Sequence, residues 1–212
     1  MSVQTKICGI KTPVALRTAC DAGVRYLGFV FYPPSPRHVE IDTARELALM
    51  VPTGIRAVGL FVDPDDAQLE AVLGKVQLDM IQLHGDETVE RCRNIKDRFN
   101  VPLIKAFRVG SADDLLLIER YRDVSDMYLF DARPADATLP GGTGHAFDWS
   151  LMEGMTLSKP WMLSGGLDAN NVSEALSILL PDAVDVSSGV EVERGVKDEA
   201  KIKAFLEAVK GL

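Results

Sequence analysis

An α/β fold with eight parallel strands closed into a (βα)8 barrel, helices outside, is the architecture this sequence predicts, and three observations predict it. Short apolar, β-branched runs alternate with amphipathic stretches of helical length from one end of the chain to the other. Eight such runs in 212 residues leave roughly 26 residues per βα unit, close to the minimum for a strand, a crossover helix and two short loops. No Ser/Gly-rich linker or change of composition divides the chain, so residues 1–212 read as one domain. Eight strands could also form an open doubly wound sheet; the count favours the closed barrel.

In chain order, strands are expected at 5–10, 26–31, 56–62, 80–84, 103–108, 127–131, 161–164 and 183–187. Helices are expected at 13–22, 42–50, 64–73, 87–97, 112–121, 169–179 and 201–209, with a weaker pattern at 149–155. Thr12-Pro13 and Asp63-Pro64 each place a proline where it can open a helix, since the missing N–H is not needed there.

Composition narrows the partners. The chain carries 31 acidic and 23 basic residues, a formal net charge of −8, and the basic ones form no block that could neutralise a row of phosphates. Nucleic acid is therefore excluded as the main partner, while a small anion can still be held by backbone amides and one or two placed cations. No apolar run approaches the ~20 residues of a membrane span, and the start MSVQTKICGI lacks a signal-peptide pattern, which predicts a cytoplasmic protein. Cys8, Cys20 and Cys92 are far apart in sequence and form no CxxC pair, so neither a zinc ribbon nor a disulfide framework is indicated.

Period-two alternation sorts the strand residues by face. Val184 and Val186 share one face and Asp185 and Ser187 the other; Ile81 and Leu83 oppose Gln82 and His84; Lys6 and Cys8 oppose Ile7 and Gly9. With the apolar set packed on the helices, Cys8, His84, Asp131, Ser164 and Asp185 converge at one end of the barrel, where parallel α/β enzymes carry their working groups. Each also has a plain reading: Cys8 as a small buried hydrophobe, Asp131 as a loop cap, His84 as a hydrogen-bonded structural histidine, Cys20 and Cys92 as helix packing. Convergence is harder to explain by packing than any one residue is. Glycines add a second signal: Pro140-Gly141-Gly142-Thr143-Gly144 follows the sixth strand, Ser164-Gly165-Gly166 ends the seventh and Ser187-Ser188-Gly189 ends the eighth. Such loops expose successive N–H groups to an anion, and barrels often hold a phosphate after strands seven and eight.

Seven segments together resemble the phosphoribosylanthranilate isomerase family: KICGI at 6–10, GFVFYPPSPRHV at 28–39, QLHGDE at 82–87, FDARP at 130–134, PGGTGHAFDW at 140–149, LSGGL at 163–167 and VDVSSGVE at 184–191. They run from first strand to last in the family's order. The resemblance implies a TIM barrel that isomerises N-(5-phosphoribosyl)anthranilate by an Amadori rearrangement in tryptophan biosynthesis, with neither metal nor organic cofactor. It also implies Cys8 as general base, Asp131 as general acid and Arg37 as partner of the anthranilate carboxylate. His84, Asp185, Ser187, Ser188, Gly142, Gly144, Gly165, Gly166 and Gly189 complete the expected substrate site, and the molecule is expected to act as a monomer or homodimer.

That assignment carries a chemical difficulty. A cysteine at its ordinary value of about 8.5 and an aspartate at about 3.9 hold the proton on the wrong group, a deficit near 6 kcal/mol for the thiolate/carboxylic-acid form. Lys6 could help the thiolate if it lies close by. Other barrel enzymes compete as readings. An indole-glycerol-phosphate synthase-like lyase needs a catalytic lysine and a longer N-terminal segment, whereas here the first strand starts by about residue five. The dual-substrate isomerase of histidine biosynthesis uses paired aspartates, which Cys8 argues against. A noncatalytic phosphate-binding barrel would not need acid, base and carboxylate-binding residues together.

Overall fold

The computed structural model describes residues 3–109, 117–132, 152, 154 and 157–211. Eight strands, β1 (Gln4–Cys8), β2 (Tyr26–Val30), β3 (Arg56–Phe61), β4 (Met80–Leu83), β5 (Leu103–Val109), β6 (Met127–Ala132), β7 (Trp161–Ser164) and β8 (Ala183–Val186), pair in sequence order, and β8 returns to β1 to close the barrel. All eight pairings are parallel. The described helices are α1 (Pro13–Asp21), α2 (Ile41–Leu49), α3 (Asp66–Leu73), α4 (Val89–Phe99), α5 (Val172–Ile178) and α6 (Glu199–Lys210). Among them, none is long and apolar enough to cross a membrane.

Alternation works as the sequence implies. Ile7, Leu27, Phe29, Ile81, Leu83, Val184 and Val186 point outward and join the helices in one continuous apolar layer. The opposite set faces inward: Tyr26, Val58, Met80, Ile104, Met127, Leu129, Met162 and Ala183 fill the lower barrel. Above them the interior turns polar, with Lys6, Gln82 and Asp185 all buried, and Cys8 packs higher up with Val30 and Leu60. Core truncations in the outer layer, such as Phe61→Ala, are of the class that costs about 3–5 kcal/mol.

Element ends move for identifiable reasons. The first strand stops at Cys8 because Gly9 turns to φ 86°. Pro64 does not open a helix: Asp65 is the cap, its carboxylate accepting from Gln68 N–H at 2.7 Å, and α3 begins one residue later. In the same way Thr88 caps α4, so Glu87, expected inside that helix, is turned into the loop. Asp168 accepts from the amides of Asn170 and Asn171, which delays α5 to Val172. Of the helix expected at 112–121, the described part is a 3-10 turn at Ile118–Tyr121. Residues 149–151, 153 and 155, and Gly142 and Gly144, lie outside the described residues. A small antiparallel hairpin, β9 (Glu191–Glu193) with β10 (Val196–Lys197), follows β8 and was not expected.

Candidate active site

The site is built from strand ends at one mouth of the barrel. Cys8 is the last residue of β1, and its neighbour in register on β2 is Gly28. A Cβ on Gly28 would stand 3.0 Å from the Cys8 sulfur, so the glycine makes room for the thiol. Gly9, next in the chain, is required twice over: by its positive φ, and because the Arg37 stem lies across it, with Cδ 3.0 Å from where a Cβ would be. That contact brings Arg37, from the Pro-rich loop after β2, beside Cys8.

Arg37 is fixed from behind. Its Nε and Nη2 each donate to Glu191 at 2.8 Å, the two-pronged geometry that orients a guanidinium plane. Glu191 also accepts from Lys197 Nζ at 2.7 Å and from the Gly195 amide at 3.2 Å. Burial opposes the Glu191 carboxylate, yet the hydrogen bonds from Arg37 and Lys197 overcome it and hold its pKa at about 2. Lys197 reaches further, donating to the Ser187 carbonyl at 2.9 Å, while Ser187 Oγ donates to the Cys8 carbonyl at 3.1 Å. The β9–β10 hairpin thus ties the end of β8 to the ends of β1 and the Arg37 loop.

Beneath Cys8, Lys6 Nζ donates to Asp185 Oδ1 at 2.9 Å, and Ser164 Oγ donates to Asp185 Oδ2 at 3.2 Å. Both members of the ion pair are buried. Burial works against the Lys6 ammonium, but Asp185 and Cys8 outweigh it and its pKa is raised. For Cys8 burial is the larger influence and pushes the thiol up, the neighbouring Asp185 adding to it, while Lys6, Lys197 and Arg37 pull the other way. Burial thus favours the protonated thiol, with the cations of Lys6, Lys197 and Arg37 opposing it.

Across the mouth, Asp131 lies near the end of β6, in register with Arg108 of β5 and Ser164 of β7. His84 Nε2 stands 3.2 Å from Asp131 Oδ2, and His84 Nδ1 stands 2.9 Å from Gln82 Nε2. The His84 loop is anchored from below: Glu87, buried, accepts from the Asp63 and Gly85 amides, and Lys105 Nζ donates to it at 2.8 Å.

Gly165 and Gly166 both take positive φ after β7, and Ser188 and Gly189 sit in a short 3-10 turn after β8. The two loops touch, since a Cβ on Gly189 would collide with the Leu167 carbonyl. Cys8, Arg37, His84, Asp131, Asp185 and Ser187, singled out in the sequence, thus gather at one mouth. Cys20 and Cys92 belong to α1 and α4 and stand apart from it. Glu191, Lys197, Glu87 and Lys105 were missed. The positive-φ Gly195 two residues after Glu193 was the readable sign of the hairpin. Among the described residues, no three His, Cys, Asp or Glu side chains are grouped to hold a metal ion.

Fold and site together define a (βα)8-barrel enzyme, with a buried thiol and a carboxylate–imidazole pair at the mouth and a fixed arginine beside the thiol. Residues 5–208 match the profile of N-(5'-phosphoribosyl)anthranilate (PRA) isomerase, and the chain belongs to that family. It is 53% identical to N-(5'-phosphoribosyl)anthranilate isomerase of Paracoccus denitrificans, over 97% of this chain and 96% of the relative. The crystal structure of phosphoribosyl anthranilate isomerase from Thermotoga maritima superposes with a TM-score of 0.88 at 38% identity, covering 99% of this chain and 100% of that one. A further phosphoribosyl anthranilate isomerase structure, in complex with reduced 1-(o-carboxyphenylamino)-1-deoxyribulose 5-phosphate, gives 0.84 at 36% identity, with 99% and 100% coverage.

Proposed function

We propose that this chain converts N-(5-phosphoribosyl)anthranilate into 1-(2-carboxyphenylamino)-1-deoxyribulose 5-phosphate, a step of tryptophan biosynthesis, with Asp131 as general acid and Cys8 as general base. Asp131 donates its proton to the ring oxygen as the bond from that oxygen to C1′ breaks, and the anthranilate nitrogen lone pair forms the protonated Schiff base. Cys8, as the thiolate left once its proton has passed to the Asp131 carboxylate, then removes the C2′ proton and becomes a thiol again, and the electrons of that bond give the enolamine, which tautomerises to the ketose. One acid and one base suffice, so neither metal nor organic cofactor is required.

The observation that carries this reading is the position of Arg37: its stem crosses Gly9 next to Cys8, and its plane is fixed by Glu191. A rigid cation beside the base suits a substrate whose carboxylate stands on the aromatic ring joined through nitrogen to the reacting sugar carbons. On the same reading the phosphate is held by main-chain donors of Gly142, Gly144, Gly165, Gly166, Ser188 and Gly189. Asp185 and Ser187 contribute from below, by holding Lys6 and the Cys8 carbonyl. The molecule acts on this small phosphorylated substrate in the cytoplasm, as a monomer or homodimer within a single domain.

The test is the fluorescence of the anthranilate substrate during turnover. Purified protein should extinguish it at a rate proportional to enzyme, unaffected by exhaustive chelation. Unchanged fluorescence with folded protein, or loss of activity on chelation with rescue by zinc or magnesium, would contradict the reading.

A further inference from the structure

The peptide between Pro36 and Arg37 is held at both edges by groups that no step of the rearrangement uses. On its carbonyl side, Lys11 Nζ donates to the Pro36 oxygen at 2.8 Å. The β9–β10 hairpin meets the same carbonyl at Gly195, which is buried: a Cβ there would stand 2.4 Å from the Pro36 oxygen and 3.0 Å from the carbonyl carbon. On its amide side, the Arg37 N–H donates to Ser35 Oγ at 3.2 Å. Gly195 also turns to φ 85°, and its own N–H donates to Glu191 Oε2, the oxygen that receives Arg37 Nη2. One hairpin residue thus touches both the backbone that carries Arg37 and the carboxylate that orients its side chain.

We infer that Gly195 and Lys11 are positioning residues for recognition of the ring carboxylate: by gripping the Pro36 carbonyl they fix where the Arg37 backbone stands, and so where its guanidinium meets the ligand. This rests on the proposed role of Arg37. A peptide group is planar and stiff, so a displaced Pro36 oxygen carries the Arg37 Cα with it. A methyl at position 195 must part from that oxygen by roughly 1 Å to reach ordinary contact, and a misplacement of that size can cost a placed functional group up to about a hundredfold. Gly54 shows what is particular to Gly195. It too has a positive φ, 97°, but it lies before β3, at the opposite end of the barrel, and the nearest atom to a Cβ there is 4.0 Å away. A side chain at 54 meets backbone strain alone, whereas one at 195 also moves the arginine. Neither glycine carries charge, so replacing them leaves the electrostatics of the mouth unchanged.

Titration calorimetry with two ligands reads the effect: reduced 1-(2-carboxyphenylamino)-1-deoxyribulose 5-phosphate, and its phenylamino counterpart without the ring carboxylate. Wild type should prefer the first by about ten- to a hundredfold, the range one charge-assisted contact supplies, and Arg37→Ala should keep little of that preference. Gly195→Ala should lose about tenfold of it, yet bind the phenylamino ligand within about twofold of wild type. Lys11→Met should lose about threefold of it, and Lys11→Arg, which restores a donor, should recover it. The Lys11→Met loss, taken relative to wild type, should be the same at about 0.05 M and about 0.5 M salt, because a displaced arginine is not undone by screening. Gly54→Ala should bind both ligands as wild type does, with circular dichroism confirming the fold of every variant. A folded Gly195→Ala with the wild-type preference, or one that loses both ligands equally, would overturn the inference. If Gly195→Ala does not fold, Lys11→Met decides by the same two results, and a loss that vanishes at high salt would equally overturn it. A wild type indifferent to the carboxylate, or an Arg37→Ala that keeps the preference, would bring down the proposed role of Arg37 itself.

Discussion

The two sides of the barrel mouth are built differently. Around Cys8 the ends of β1 and β8 are locked by two buried ion pairs, Lys6 on Asp185 and Lys197 on Glu191, and the part-exposed Arg37 from the loop after β2 joins the second. Around Asp131 the ends of β4 and β5 carry one buried ion pair, Lys105 on Glu87, below the mouth, while the facing groups are more open: the Asp131 side chain is 35% exposed and that of His84 20%, and one chain of hydrogen bonds joins them. The contrast fits the chemistry each side is given. A thiolate forming in a dry pocket needs fixed positive charge, because burial alone raises its cost. A group that must give up and regain a proton in every turnover is better placed near water.

The largest effects should come from the reacting groups themselves. Cys8→Ala and Asp131→Asn should each lower kcat by about a hundredfold to ten-thousandfold, the range that acid–base groups supply, in steady-state assays of folded protein. The Cys8 side should also react slowly with a thiol alkylator, since burial holds the thiol protonated. Bound product should slow it further; a fast reaction indifferent to product would place Cys8 outside the site.

Next in size is the fixed cation. Arg37→Ala should raise KM by roughly ten- to a hundredfold, corresponding to about 1.5–3 kcal/mol for a lost charge-assisted contact. Unchanged kinetics would remove Arg37 from carboxylate binding. Glu191→Gln should do less, raising KM several-fold through a loosened Arg37 while kcat stays closer to wild type.

Glu191 also sharpens the comparison through stability. Its folded pKa, about 2, lies below the ordinary value of 4.5. A depressed carboxyl contributes stability that is present above the ordinary value and is lost as pH falls through the folded one. The window is therefore about pH 4.5 down to 2, and the contribution is on the order of 2–3 kcal/mol. Chemical denaturation should show wild type losing more stability across the window than Glu191→Gln does. Parallel curves would mean that Glu191 has no such role.

What the sequence made legible divides along the same line. Inward and outward faces follow from period-two alternation, which is local, so Cys8, His84, Asp131 and Asp185 could be placed at one mouth before any contact was known. Helix starts were less legible where a proline competed with a capping side chain, as at Pro64 and Asp65. On the Cys8 side Lys6 and Asp185 could be placed on the inner face, but the pairings that support Cys8 and Arg37 could not be read. Glu191 meets Arg37 across 154 positions, and Lys6 meets Asp185 across 179, distances over which sequence pattern carries no pairing information. Gln82 was visible only as an inward-facing polar residue; its tie to His84 needed side-chain geometry.

The central claim, that the two sides of the mouth act as one acid–base unit, is tested most directly by combining Cys8→Ala with Asp131→Asn and measuring kcat of both single variants and the double. Groups that work together are strongly non-additive. The account predicts a double variant little worse than the poorer single one. Losses that multiply, or a folded Cys8→Ala within threefold of wild type, would contradict it.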